Sequence, residues 1–312
     1  MATPLMLLIP TAVLLGFASQ NSFVRRQRQR VLRALGNYVP AKVAKTFADR
    51  ATEPSTVRET VYATCLAADA EGFTAVAEGM MPEAAASFLN AYFEALAEPL
   101  KRHGADLTQF HADSIMCAWT GPRPDPALRS KACLAAADAL EAVRGFNERY
   151  APLHLGVRFG LHTGRVFVGH AGGGGHFIYG IVGDIANTAS RIEQLNKQLG
   201  TRLLATEEVV AGLDDILFRP LGDFWFAGKR SSVPVVEVLC PVRDATMAQL
   251  SLCARFEMAI EAFRGERWAE AESHFQGIHR DYPNDGPARF YLDQRLPEAR
   301  RLAAETHSSP AI

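Results

Sequence analysis

The 312-residue chain is 48% hydrophobic and 21% charged, which supplies a core and excludes a disordered chain. With 33 Lys plus Arg against 34 Asp plus Glu, a net charge of −1, it lacks the basic excess of a nucleic-acid binder, and no nucleic-acid partner is expected. The balance is uneven along the chain. Seven basic residues (Arg25, Arg26, Arg28, Arg30, Arg33, Lys42, Lys45) and no acidic ones precede Asp49, leaving 26 basic against 34 acidic residues, net −8, in the remainder. Five scattered cysteines without a C-x-x-C pair fit reduced thiols in a cytosolic compartment better than a disulfide framework or a zinc site.

The first element is an uncharged apolar stretch from Pro4 to Ala18, continuing weakly to Val24 and followed directly by the Arg25–Arg30 cluster. A signal peptide carries its positive charge before the apolar run. The reverse order here predicts a single-pass membrane helix over residues 1–24, in the cell membrane with its C-terminal side cytoplasmic. A span needs about 20 apolar residues, reached only by including Ser19 to Ser22, so a buried or interfacial helix stays open as the alternative. Residues 25–57 read as a connector: an Arg-rich helix, then a short helix opened by Pro40, ended by Glu53-Pro54-Ser55-Thr56.

Residues 58–242 alternate strand and helix patterns. Val61–Ala68 reads as a buried strand, and Thr74–Leu100 as one long helix with Phe88, Tyr92, Leu96 and Leu100 on one face. Leu107–Trp119 reads as a hairpin turning at His111-Ala112-Asp113, and Pro126–Tyr150 as a second long helix. Leu155–Leu161 and Arg165–Val168 are predicted strands separated by His162-Thr163-Gly164. The Gly172–Gly175 run opens no helix and is read as a hairpin turn, not a nucleotide loop. A helix over Ile185–Leu199 and strands near Leu203, Phe218–Phe226 and Val235–Leu239 complete an α+β arrangement, helices over a mostly antiparallel sheet. His103, His111, His162 and His176 lack metal-ligand spacing and read as hydrogen-bonded turn residues. From Ala245 to Thr306 the pattern is helical and resembles one tetratricopeptide-type unit, with Phe256, Ile260 and Phe263 on one helix and Trp268, Ala271 and Phe275 on the next. One unit does not bury its own face, so the tail calls for a surface to dock on, a protein partner included.

Two constellations suggest chemistry. Asp69 and Asp113 lie at the ends of predicted neighbouring strands, where paired carboxylates favour a hard divalent cation; turn or cap residues are the plainer alternative for each. Gly72-Phe73-Thr74 then opens a helix whose free N–H groups suit phosphate. Asn187 and Arg191, four apart on one helix face, suit an oxyanion that gains charge, with an ordinary polar pair as the alternative.

Together, Asp69-x-x-Gly72-Phe73-Thr74, the hairpin Asp113, His162-Thr163-Gly164-Arg165-Val166 and Asn187-x-x-x-Arg191 resemble, in order and spacing, the class III adenylate/guanylate cyclase catalytic domain over residues 58–240. The connector Leu35–Pro40 and the tail resemble those of bacterial CHASE2-type cyclases, without the CHASE2 sensor, so the chain reads as a short relative or a piece of a longer one. The resemblance implies a ferredoxin-like βαββαβ core. It implies a homodimer whose sites take the aspartates from one subunit and Asn and Arg from the other, and two Mg²⁺ or Mn²⁺ ions per site. On it, Asp69, Asp113 and the Ala70 carbonyl are metal ligands, and Gly72, Phe73, Thr74 and Arg165 hold the triphosphate of ATP. Asn187 orients the ribose and Arg191 stabilises the transition state. Three positions depart from the adenylate cyclase pattern: Gln109 replaces the base-reading Lys, Gly180 its Asp or Thr partner, and Ala227 the triphosphate Lys, for which Lys229 is the available substitute. Adenylate cyclase is therefore the expected activity, with a GTP-using or dual enzyme as one alternative and a degenerate, binding-only domain as another.

Overall fold

The structure, a computed structural model, describes residues 58–173 and 176–308 together with Val24, Arg26, Gln27, Gln29 and Arg30. The expected anchor and connector otherwise lie outside the described residues. Among the described residues no helix is long and apolar enough to cross a membrane. By contacts the described residues divide into two compact units, one comprising Thr60–Phe167 and residues 181–308, the other containing the described residues of 168–180 and those up to Glu59.

β1 (Arg58–Glu71) leads to α1 (Phe73–Glu78) and α2 (Pro82–Arg102), then the hairpin β2 (Leu107–His111) and β3 (Ser114–Gly121), then α3 (Pro126–Arg149) and β4 (Gly156–Gly173). After β5 (His176–Val182) come α4 (Asp184–Leu199), β6 (Leu203–Thr206), the short α5 (Glu207–Val210), β7 (Ile216–Phe224) and β8 (Val233–Pro241). The strand order is β2-β3-β1-β4-β6-β8-β7, with β5 pairing β4. The β1/β3, β2/β3, β6/β8 and β7/β8 pairs are antiparallel and β4/β6 is parallel.

Local sequence accounts for most boundaries. Pro82 and Pro126 occupy first-turn positions where a missing N–H is harmless, and the Asp125 carboxylate accepts from Ala127 N–H at 2.9 Å to cap α3. The predicted single helix 74–100 is in fact α1 and α2, because Gly79 ends one and Pro82 starts the other. The predicted turn at His162-Thr163-Gly164 is also corrected: β4 runs straight through it. Thr163 Oγ1 donates to the Ala63 carbonyl at 3.1 Å, tying that stretch to β1, and a methyl group at Gly164 would stand 3.0 Å from Ile185. Glycine here serves close packing under α4 and not a bend. His162 is accordingly a strand residue, its Nδ1 3.0 Å from Thr206 Oγ1.

Period-two alternation divides the sheet between two cores. On β6, Leu203 and Ala205 face the cluster built with α2 and α3, around Tyr92, Trp119 and Phe146, while Leu204 faces the other. That second cluster joins α4 (Ile192, Leu195, Leu199) and β7 (Leu221, Phe224) to the tail. The tail comprises α6 (Met247–Arg264), α7 (Trp268–Asp281), α8 (Gly286–Phe290), a π turn and α9 (Leu296–Ser308). Its apolar face is thus covered by the chain's own sheet and α4. Tyr291 donates to the Leu221 carbonyl at 2.7 Å, and α8 lies so close to the end of α4 that any side chain at Gly286 would strike the Leu199 carbonyl.

Candidate active site

The hairpin builds the acidic end of the site. Only Ala112 and Asp113 separate β2 from β3, with Ala112 at φ 51°, a left-handed conformation uncommon for a residue with a side chain. The register sets Asp69 opposite Ser114, and the Ala70 N–H donates to the Asp113 carbonyl at 3.1 Å. Asp69 and Asp113 therefore share one end of the sheet. Burial, then repulsion from Asp113, holds the Asp69 carboxyl above the usual carboxylate range, against the pull of Arg158.

Arg158 on β4 lies at the centre of this cluster. Its guanidinium is 3.4 Å from Asp69, 3.0 Å from Glu71 and 3.2 Å from Glu193, and Arg202 also pairs with Glu71. Glu193 projects from α4 with a nearly buried side chain, and burial pushes its carboxyl up to about 7 although Arg158 pulls the other way. Three carboxylates thus meet the guanidinium groups of Arg158 and Arg202, and Asp113 adds its charge beside Asp69. A cavity of about 470 Å³ opens on Asp69, Arg158 and Glu193, lined also by Ser114 and Lys197. Among the described residues no three His, Cys, Asp or Glu side chains gather as a ready metal cage. Two carboxylates with an adjacent backbone carbonyl at Ala70 nonetheless fit Mg²⁺ or Mn²⁺, ions that complete their shells with water and phosphate oxygens. The elevated Asp69 carboxyl marks where a positive charge would relieve the excess.

Asn187 and Arg191 lie elsewhere on α4. The helix turns Ser190, Glu193 and Lys197 to the acidic cavity, whereas Arg191 lines a second one of about 310 Å³ with Trp225, Phe226 and Ala227; Gln194 touches both. The turn after β7 folds over this part of α4. Gly228, at φ 78°, brings the backbone so close that a methyl group there would sit 3.8 Å from Arg191 Nη2, and the Lys229 N–H donates to the Phe226 carbonyl at 3.0 Å. Lys229 Nζ pairs with the carboxylate of Asp184, the first residue of α4, and holds that carboxyl below the usual range. Burial, helped by Lys229, depresses His162 to about 4, so its ring is neutral.

The remaining candidates are placed as follows. Gly72 precedes α1 at φ 88°, a conformation that favours glycine; Phe73 packs against the α2/α3 core and Thr74 is exposed. Arg165 is exposed on β4, Gln109 is half-buried on β2 opposite Met116, and Gly180 is buried on β5. The structure thus unites Asp69, Ala70 and Asp113, and separately Arg191 with the Gly228-Lys229 turn. It does not bring Asn187 or Arg191 into the Asp69 cavity. Sequence reasoning missed Arg158, Glu193 and Asp184. A charged residue between Val157 and Phe159, and an acid amid the apolar positions Ile192 and Leu195, were the available signals.

Comparison with known proteins gives a consistent result. The family described as "Adenylate and Guanylate cyclase catalytic domain" matches residues 57–235. The chain is 34% identical over 195 residues to "Adenylate cyclase 1" of Rhizobium meliloti (strain 1021), a match covering 61% of this chain and 29% of the relative. It is 26% identical over 245 residues to "Adenylate cyclase, terminal-differentiation specific" of Dictyostelium discoideum, covering 75% and 11%. The chain thus matches less than a third of either relative's length. Among solved structures it is similar in fold to a bacterial light-regulated adenylyl cyclase (TM-score 0.58, 21% identity, 80% of this chain and 70% of that one). A second is the guanylate cyclase domain of RhGC from Catenaria anguillulae in complex with GTP (TM-score 0.50, 19% identity, 59% and 99%).

Proposed function

Because the chain belongs to the adenylate and guanylate cyclase catalytic domain family, we propose that it is an adenylate cyclase, converting ATP to cyclic AMP and pyrophosphate at sites shared by two copies of the chain. The observation that carries this is the register of β1 on β3, which sets two repelling carboxylates, Asp69 and Asp113, at one sheet end beside a cavity.

Asp69, Asp113 and the Ala70 carbonyl would hold two Mg²⁺ or Mn²⁺ ions. Bound there, such ions supply Lewis-acid stabilisation of phosphate charge and lower the pKa of the ribose 3′-hydroxyl. The chain's own groups do the rest. The backbone of Gly72, Phe73 and Thr74, with Arg165 and Lys229, holds the triphosphate. The Asn187 amide orients the ribose so that its 3′-oxygen faces the α-phosphorus. The new oxygen–phosphorus bond forms as the bond to the pyrophosphate oxygen breaks, the hydroxyl proton passes to solvent water, and Arg191 offsets the charge that accumulates on the α-phosphoryl oxygens. The shared site is supported by α4, which turns Arg191 away from the acidic cavity of its own chain. Membrane anchoring rests on the charge order at the N-terminus alone.

Turnover of GTP alongside ATP is the second reading, favoured by Gln109 and Gly180. An amide accepts from the adenine amino group or, turned over, donates to the guanine carbonyl, and Gly180 adds no side chain to veto either.

The test is incubation of the purified chain with ATP or GTP and Mn²⁺, with the product identified by mass. Cyclic AMP as the main product is expected; no cyclic nucleotide from either substrate overturns the proposal in favour of a binding-only domain. Asp69→Ala and Asn187→Ala proteins, each inactive alone, should recover activity when mixed. No rescue despite demonstrated subunit exchange would overturn the shared site.

A further inference from the structure

The Lys229–Asp184 pair has a consequence for the proposed site. The turn after β7 brings Lys229 to the start of α4 and passes close over Arg191 of that helix, and the neutral His162 adds no charge. These two cations border the side of α4 to which the proposed function assigns phosphate. Among the described residues the Asp184 carboxylate is bonded to Lys229 and also feels Arg191. The Lys229 side chain is 18% exposed and Asp184 66% exposed, so the lysine sits inward and the aspartate is the member open to exchange with an incoming anion.

We propose that Asp184 is an internal stand-in for substrate phosphate: its carboxylate occupies Lys229 until a polyphosphate displaces it, and so sets the affinity of the site for the triphosphate. This rests on the proposed function for the identity of the anion. The physical basis is competition. While the pair is closed, Lys229 and Asp184 present no net charge and Lys229 adds nothing to the pull of Arg191 and Arg165 on an anion; once it opens, Lys229 joins them. A half-exposed pair is weak and screened by salt, which suits a contact that must yield to a multiply charged ligand. Asp184 acts through Lys229 and is a positioning residue, not a catalytic one.

The alternative is a purely structural part for Asp184, since a carboxylate in the first turn of a helix also favours the helix dipole. Binding of inorganic tripolyphosphate without metal, followed by calorimetry on the full chain at 50 mM and 300 mM salt, separates the two. Asp184→Asn should bind about two- to five-fold tighter at low salt, the range an exposed ion pair allows, with the gain shrinking at high salt. Lys229→Gln should bind more weakly, and adding Asp184→Asn to Lys229→Gln should restore nothing. Unchanged affinity in Asp184→Asn with a lowered melting temperature would overturn the proposal in favour of the structural part. An equal gain with or without Lys229 would overturn it too, because Asp184 would then act by general repulsion. Asp184→Ser, also small, polar and uncharged, should show the same gain and takes the place of Asp184→Asn should that variant not fold. Should the chain form no cyclic nucleotide while this cycle holds, the catalytic proposal fails and the phosphate latch stands.

Discussion

Arg219 and Arg158 each meet more carboxylate than one guanidinium can neutralise, yet the two clusters are built to different ends. Arg219 on β7 is 3% exposed and pairs with Glu237, its cross-strand neighbour, at 2.6 Å and with Asp285 of the tail at 2.7 Å. Both acids are committed elsewhere: Asp285 caps α8 through the Ala288 N–H, and Glu237 is held in the β7/β8 pairing. The guanidinium lies 4.6 Å over the Phe256 ring, with only Nη1 unpartnered among its nitrogens. Arg158 instead borders an open cavity, where Asp69 also bears the repulsion of the neighbouring Asp113. A closed cluster balanced by caps and rings is architecture. An open one, with Asp69 still repelled by its neighbour, is a place for a ligand.

Substitutions can break that contrast. Arg219→Met leaves two buried acids without their partner and should destabilise the fold by about 3–5 kcal/mol in urea titrations; a loss under 1 kcal/mol would remove the distinction. Asp69→Asn should lower Mn²⁺-dependent turnover by about a thousand-fold or more, since several kcal/mol of charge stabilisation go with it. The same variant should keep or raise its melting temperature in EDTA, because a repelling charge is gone. A melting temperature that fell as far as that of Arg219→Met would make the acidic end structural.

Glu193 sharpens the comparison through pH. Its carboxyl titrates near 7 in the folded chain against 4.5 ordinarily, so the folded state holds the extra proton between those values and loses stability as pH rises through them. Glu193→Gln lacks that dependence. Its stability relative to the unaltered chain should therefore grow from pH 5 to pH 8, by about 1–3 kcal/mol; a gain that shrank with pH would reverse the sign. The smallest effect concerns the base. The unaltered chain should turn over both ATP and GTP with ATP preferred, and Gln109→Lys with Gly180→Asp should sharpen the preference by about ten-fold or more, as a fixed polar reader does. An unaltered chain that already rejects GTP by about a thousand-fold would overturn the account of Gln109.

The residues that act through local spacing were legible in the sequence. Asp113 at a two-residue turn and Asn187 with Arg191 one helical turn apart depend on neighbours a few positions away. The aspartate pair was legible once β1 and the hairpin were recognised as neighbours. Arg158, Glu193 and Asp184 were not, because their meaning lies in partners 35 to 89 residues distant. Gly164 misled in the opposite direction: glycine after His-Thr reads as a turn, and only the approach of Ile185 reveals that the residue is small so that a helix can pass. Pro82, by contrast, was a visible break that the long alanine-rich pattern overrode.

The seating of the tail bears on how this chain could be recombined with others. The family match ends at residue 235, but the cluster of Leu199, Leu221, Phe256, Phe275 and Tyr291 runs on through Leu296. A graft that borrows only the matched segment would cut through a single core and expose Leu221, Phe224 and the underside of α4. Transplanting the unit intact means carrying the tail with it, and a foreign helix attached in its place would have to supply a glycine where Gly286 meets Leu199 and an acid where Asp285 meets Arg219.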